Sequence, residues 1–219
     1  GDELLFFGGL IPTAVGEGKN VEAVFLSGSG RDRLEESLEA MWTAGLTNAP
    51  VYLGFEEQNV RKYEDAVNAW DLETAVSALV ERIRATQPDV IVTHNVNGED
   101  GDNQHTYTAT LVRRAVLLAA DPASYPDSYS KYGAWEVKKL YIHQYEANTV
   151  QLNYEQPLDA FGSLTANQVT ELAYDKYASL RKHSLSYYNE KFEANSYGLI
   201  ASTVGEDSAK TDLFEHIEG

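Results

Sequence analysis

Gln87-Pro88-Asp89-Val90-Ile91-Val92-Thr93-His94 packs three structural signals into eight residues. Pro88 cannot continue a helix, and it biases the residue before it away from helical geometry. Val90-Ile91-Val92 is a short β-branched run of the kind found in strands buried on both faces. His94 then closes the strand with a polar side chain. Upstream, Leu72 to Thr86 is amphipathic, with Val76, Leu79, Val80 and Ile83 on one face. Downstream, Asn95 to Asn103 is a polar loop containing glycines, and Gln104 to Ala120 returns to a helical pattern.

The same alternation recurs on both sides. Leu4 to Ala14 reads as a helix ended by Gly16-Glu17-Gly18. Val21 to Leu26 is a short apolar run, read as a parallel strand, with Ser27-Gly28-Ser29-Gly30 as the turn after it. Arg31 to Leu46 follows as a helix, with Leu34, Leu38, Met41, Trp42 and Gly45 near one face. Pro50 to Phe55 and Lys138 to His143 are further strands. Ala166 to His183 is a late helix, and the remaining tail reads as irregular. Alternating strands and helices define an α/β fold with a mostly parallel sheet flanked by helices. Ligands in such sheets sit at the carboxyl ends of the strands. Three polar turns fall at such positions: the start of the chain, Gly28 to Arg33, and His94 to His105.

Composition narrows the function classes. A chain of 219 residues with 43% apolar residues suits a single domain with a substantial core. Its 17 Lys and Arg face 34 Asp and Glu, a formal net charge of -17. That charge repels nucleic acid and anionic membranes. With no cysteine, disulfides, thiolate zinc sites and cysteine nucleophiles are excluded, and the redox compartment is unread. No run of apolar residues is long enough for a membrane span. The compartment and oligomeric state are unread as well; secretion would need a signal peptide ahead of Gly1.

Three familiar patterns are incomplete. Gly28-Ser29-Gly30 lacks the third glycine of a dinucleotide fingerprint, because Arg33 stands there. Asp100-Gly101-Asp102 would need glycine at the position of His105 to form a calcium loop. Ser184 and Ser186 lie near His183 without a nucleophile elbow.

The chain opens Gly1-Asp2-Glu3-Leu4-Leu5-Phe6-Phe7-Gly8-Gly9, an acidic pair entering an apolar helix. This resembles the end of the His-Pro-Asp-Asp-Glu signature of the PIG-L/LmbE-like N-deacetylases. Arg33-Leu34-Glu35-Glu36-Ser37-Leu38-Glu39-Ala40 is similar to the family's Arg-x-x-Glu-x-x-x-Ala helix. The strand from Gln87 to His94 matches its Pro-Asp strand ending in Thr-His. Asn97-Gly98-Glu99-Asp100-Gly101-Asp102-Asn103-Gln104-His105 sits where relatives often read Asn-Gly-Glu-Tyr-Gly-His-x-x-His. Lys139 to His143, Gln156 to Gly162, and Tyr197-Gly198-Leu199 resemble a bacterial branch. The resemblance implies a Rossmann-like sheet whose first central strand precedes the acidic turn. On that reading the strand lies upstream of Gly1, and the natural chain is expected to begin earlier.

The implied chemistry is hydrolysis of an acetamide. Zinc suits it by activating water and polarising the carbonyl, and a catalytic zinc takes three protein ligands. The resemblance makes Asp2 and His105 metal ligands, with the third ligand ahead of Gly1. The family's general base falls on Gly1, which has no side chain. Asp102 occupies the position where relatives often carry an oxyanion-stabilising histidine; a carboxylate there would repel developing negative charge. Asp102 either shares a metal with His105 or is a solvated loop acid. Arg33 is the expected sugar-binding arginine, or else pairs with Glu35 or Glu36 on its own helix. Glu36 joins it at the substrate, chiefly by orienting it. Glu3 is expected to be a helix-start carboxylate. His94 is read as a ligand or as a partner of one, and His143 as a strand-end or rim residue. His183 and His216 carry no further signal.

The expected function is zinc-dependent removal of acetyl groups from N-acetylglucosamine-type sugars or their conjugates. The alternative is a non-catalytic carbohydrate-binding relative, suggested by Asp102. A third reading is an interaction module whose open sheet edge takes a partner's strand.

Overall fold

The computed structural model describes residues 1–28, 31–58, 60–180, 184–185 and 191–218. The expected turn at Ser29-Gly30, the expected helix end at His183, and Ser186 lie outside the described residues. The chain divides into two compact units, Gly1–Glu57 with Gln151–Ser196, and Gln58–Val150 with Tyr197–Gly219.

In the first unit, helices α1 (Asp2–Leu5) and α2 (Leu10–Gly16) replace the single helix expected over Leu4 to Ala14. The break falls at Gly8, whose φ is +50°. A Cβ at Gly8 would lie 2.9 Å from the Cβ of Ala194, and one at Gly9 2.7 Å from that of Ala166. Close packing therefore fixes the kink that glycine permits. Strands β1 (Val24–Ser27) and β2 (Val51–Phe55) pair in parallel around helix α3 (Arg31–Thr43). Phe25 and Tyr52 stand opposite each other in the register and stack at 4.9 Å.

The face expected to be apolar on α3 is only partly its buried face. Met41 of that face points inward as expected, joined by Ser37 and Ala40, whereas Trp42 is 72% exposed and Leu34 and Leu38 about two-fifths exposed. The core uses small residues there, so that α3 can approach α8 (Ala166–Tyr174) closely. That core joins Leu4, Ile11, Ala40, Met41, Ala44, Leu46, Ala173 and Tyr174. Helix α8 starts at a capping box formed by Thr165 and Gln168.

The second unit is built on helix α5 (Leu72–Thr86), with α4 (Tyr63–Ala69) before it. Asp71 caps α5 by accepting the Thr74 N–H at 2.8 Å. Gln87 ends it in the left-handed region, with Pro88 behind. The predicted apolar face is buried as expected, together with Arg84, whose burial the periodicity did not suggest. Its guanidinium reaches the carbonyls of Leu118, Ala119, Asp121, Ser124 and Tyr125, which close the end of α6 (Asn103–Ala120) and lead into α7 (Pro126–Tyr132).

The sheet of this unit runs β3-β4-β8-β5. Strands β3 (Val90–Thr93) and β4 (Lys139–His143) are parallel, with Thr93 opposite Ile142. Strand β8 (Ser196–Ser202) lies antiparallel to β4, with Tyr197 opposite His143. The tail read as irregular thus supplies a strand, because its apolar stretch acquires a partner only through long-range pairing. Short strands β5 (Thr149–Gln151), β6 (Pro157–Leu158) and β7 (Leu164–Thr165) were too brief to read from pattern. At the start of β4, Lys139 forms a buried ion pair with Asp207, and the Tyr141 hydroxyl donates to the same carboxylate at 2.6 Å.

Candidate active site

The loop from His94 to His105 runs from the carboxyl end of β3 into α6. Asn95 fastens it to β4, its side-chain amide donating to the carbonyls of His143 at 3.0 Å and Gln144 at 3.3 Å. The Asn95 side chain also accepts the Asn97 N–H at 2.8 Å, an Asx turn that bends the loop back. Gly98 follows at φ +80°, where a Cβ would sit 2.5 Å from the Asp102 carbonyl oxygen and 2.6 Å from Thr106 Oγ1. Only glycine fits that corner.

Glu99 is the hub. Its residue is 2% exposed. One carboxylate oxygen accepts from the Asn95 N–H at 3.0 Å and from His143 Nδ1 at 2.7 Å. His94 Nδ1 lies 3.6 Å from the same oxygen, close enough to feel its charge but too long for a direct hydrogen bond. Burial pushes the Glu99 carboxyl up, but the His143 hydrogen bond and the nearness of His94 outweigh it and bring it down to about 2. The backbone carbonyl of Glu99 accepts twice, from the Asp102 N–H at 3.0 Å and from His105 Nδ1 at 3.2 Å. The His105 ring stacks on that of His94, centroids 4.3 Å apart and planes 14° from parallel.

Asp102 is the N-cap of α6, its carboxylate accepting the Gln104 N–H at 2.8 Å. His105 stands in the first turn of that helix. His143 ends its strand as expected, but it is completely buried rather than at a rim, because β8 covers it. His216 is exposed, and His183 lies outside the described residues.

The remaining candidates belong to the first unit. Asp2 opens α1. Glu3 accepts the Tyr177 hydroxyl at 2.6 Å, so it does more than sit at a helix start. Burial drives the Tyr177 phenol well above its ordinary range, and the charge of Glu3 adds to this. Arg33 pairs through Nη1 with Glu57 of β2's following loop, while Glu35 takes Arg31 at 3.1 Å. Glu36 accepts from the backbone N–H of Ser179 at 2.9 Å and from its hydroxyl. Arg33 and Glu36 are therefore engaged with different partners, and not with each other.

The sequence reading missed Glu99 and Asn95 as organising residues. Glu99 lies inside the motif from Asn97 to His105 and Asn95 in the polar loop just before it, but their importance comes from contacts with His143 of β4, more than forty residues away.

The family profile described as PIG-L, GlcNAc-PI de-N-acetylase, matches residues 1–116. The chain belongs to this family. It is 44% identical over 71 residues to a 1D-myo-inositol 2-acetamido-2-deoxy-alpha-D-glucopyranoside deacetylase of Geodermatophilus obscurus, over 32% of this chain and 23% of that protein. The enzyme of the same name in Streptomyces scabiei is 29% identical over 135 residues, covering 58% of this chain and 41% of the relative. The matches thus span less than half the length of these relatives.

Among solved structures, a conserved protein of Thermus thermophilus superposes with a TM-score of 0.63 at 18% identity, over 91% of this chain and 89% of its own. The 4-carboxy-2-hydroxymuconate hydratase of Pseudomonas putida gives 0.61 at 16% identity, with coverages of 94% and 95%. The N,N'-diacetylchitobiose deacetylase of Pyrococcus horikoshii gives 0.54 at 15%, with coverages of 90% and 78%. These likenesses establish the α/β fold, which evidently carries more than one chemistry.

Proposed function

We propose that this chain is a zinc-dependent N-deacetylase that removes acetyl groups from N-acetylglucosamine-type sugars or their conjugates. Family membership and the named activities of the sequence relatives support the substrate class. The observation that carries the reading is the setting of His105. A carbonyl oxygen can only accept, so the proton of a neutral ring lies on Nδ1, toward Glu99. The lone pair is then on Nε2, the donor a metal takes.

Among the described residues, no group of three or more His, Asp or Glu side chains is spaced to hold a metal ion. The donor chemistry of His105 and Asp2 nevertheless suits zinc, which accepts imidazole and carboxylate together. Each is a candidate ligand on its own chemistry. When bound, zinc would supply a nucleophile at neutral pH and a Lewis acid for the acetamide carbonyl. The chain's own residues do the rest. Glu99 and His94 hold the His105 ring. Arg33 keeps guanidinium N–H groups beyond the one given to Glu57 for sugar hydroxyls. Glu36, whose carboxylate is taken up by Ser179, steadies the helix that presents Arg33.

The test is acetate release from an N-acetylglucosaminyl inositol by the zinc-loaded full-length protein. Release supports the proposal, and its absence alongside retained sugar binding sinks it. That outcome would favour the second reading, a non-catalytic carbohydrate-binding relative. Asp102 favours that reading, because an N-cap carboxylate brings negative charge where the family's histidine would stabilise an oxyanion. Gain of activity only in Asp102→His would assign the loss to this position.

For location, among the described residues no helix is long and apolar enough to cross a membrane.

A further inference from the structure

We propose that Glu99 is the positioning residue of His105, fixing both its tautomer and its ring plane through a carboxylate anchored on His143. The inference rests on the reading of His105 as a metal ligand and adds a residue to that site.

Three geometric facts combine. First, the Glu99 side chain is held at its buried end by two donors, the Asn95 N–H at 3.0 Å and His143 Nδ1 at 2.7 Å. One donor comes from the loop itself and the other from β4, so the carboxylate joins the loop to the sheet. Second, the carbonyl of the same residue meets His105 Nδ1 at 3.2 Å, so the residue that is anchored is also the one that sets the ring's proton. Third, His94 lies 3.6 Å from the Glu99 carboxylate and stacks on His105 at 4.3 Å. Glu99 thereby faces both imidazoles, one through its side chain and one through its backbone. A ring gripped at Nδ1 and covered on one face has little freedom to turn.

The physical consequence is selectivity between the two ring nitrogens. Without a carbonyl at Nδ1, a histidine can place its proton on either nitrogen. A proton on Nε2 removes the lone pair that would bind a metal. Outer partners that orient ligating histidines typically change metal affinity by about 10–100-fold when removed. Glu99 differs from a simple carboxylate partner because its side chain acts at a distance, through the placement of its own carbonyl.

The experiment uses the full-length, metal-free protein with 15N-labelled histidine. Long-range 1H–15N correlation reads the His105 tautomer above its titration, with His105→Gln identifying the signal. The expected wild-type pattern is a protonated Nδ1 and an unprotonated Nε2. In Glu99→Ala the pattern should move toward Nε2–H, and zinc affinity, measured against a chromophoric chelator, should fall on the order of 10–100-fold. Glu99→Gln keeps an oxygen for Asn95 and His143 and should keep both the tautomer and an affinity within a few-fold of wild type. If Glu99→Ala does not fold, Glu99→Asp carries the same expected shift, because the shorter side chain cannot reach both donors. An Nε2–H tautomer in the wild type, or an unchanged tautomer and affinity in the folded Ala or Asp variant, overturns the proposal. Absence of acetate release with the tautomer pattern intact would remove the deacetylase reading and leave the role of Glu99 standing.

Discussion

His143 Nδ1 lies 2.7 Å from a carboxylate oxygen of Glu99, and neither residue has more than 2% of its surface exposed. A carboxylate buried to this degree is tolerated only with donors in place. His143→Phe removes one of them without opening a large cavity. It should destabilise the protein by about 3 kcal/mol, the scale for breaking a buried charged pair from one side. Urea unfolding checks this; a change smaller than about 0.5 kcal/mol, the scale of an ordinary surface substitution, would show that the contact carries no weight.

Lys139, Asp207 and Tyr141 form the second buried polar group, tying the C-terminal segment to β4. Lys139→Met leaves the Asp207 carboxylate uncompensated and should cost about 3–5 kcal/mol. Tyr141→Phe loses one hydrogen bond to a charged acceptor and should cost about 1.5–3 kcal/mol. Combining Lys139→Met with Asp207→Leu should recover much of the first loss. Strictly additive effects in that cycle would show that the two residues are not coupled.

Arg84 serves five carbonyl oxygens and the Ser128 hydroxyl from one planar fork. Lysine has three donors on a single atom and cannot span that set. Arg84→Lys should therefore be nearly as damaging as Arg84→Met, at about 3 kcal/mol or more, because several buried carbonyls lose their partners. Equal melting temperatures for Arg84→Lys and wild type would refute the assignment.

Glu215 is set for a pH measurement. Its carboxyl accepts from the backbone N–H of Ser208 at 2.8 Å and Ala209 at 3.0 Å, and from that of Lys210. The Ser208 hydrogen bond lowers it most, burial opposes, and the other two N–H groups lower it further below its ordinary value of 4.5. A carboxyl depressed in the folded state contributes stability above its unfolded value, and loses that contribution as pH falls through the folded one. Carboxyl NMR should place Glu215 below 4.5. Glu215→Gln should flatten part of the acid limb of stability; an unaltered limb would count against this contact.

Asp102 caps α6 whatever its part in chemistry. Asp102→Ala should cost about 1 kcal/mol and Asp102→Asn much less, since asparagine is also a good N-cap. Equal losses for the two variants would mean that the cap geometry is not what the position contributes.

The alternation of elements was readable from residue order alone at α5 and β3. A 3.6-residue apolar period, a proline stop and a β-branched run are all local signals, and local backbone preference and the tertiary fold agree there. The family motifs around Asp2, Arg33 and His94 to His105 were readable for the same reason, being contiguous. The reading failed where a partner arrives from far along the chain. Gly8 and Gly9 break a helix because Ala194 and Ala166 pack against them. Leu34, Leu38 and Trp42 of α3 turned outward because the core against α8 is filled by Ala40 and Met41.

The order of residues thus established the α/β class and the family, and pointed to the loop that carries the candidate site. Why Glu99 outranks its acidic neighbours, and what buries His143, were settled only when β4 and β8 came together beside that loop. Burial and hydrogen-bond direction depend on three-dimensional neighbours, and no period or motif within one segment encodes neighbours forty or more positions away.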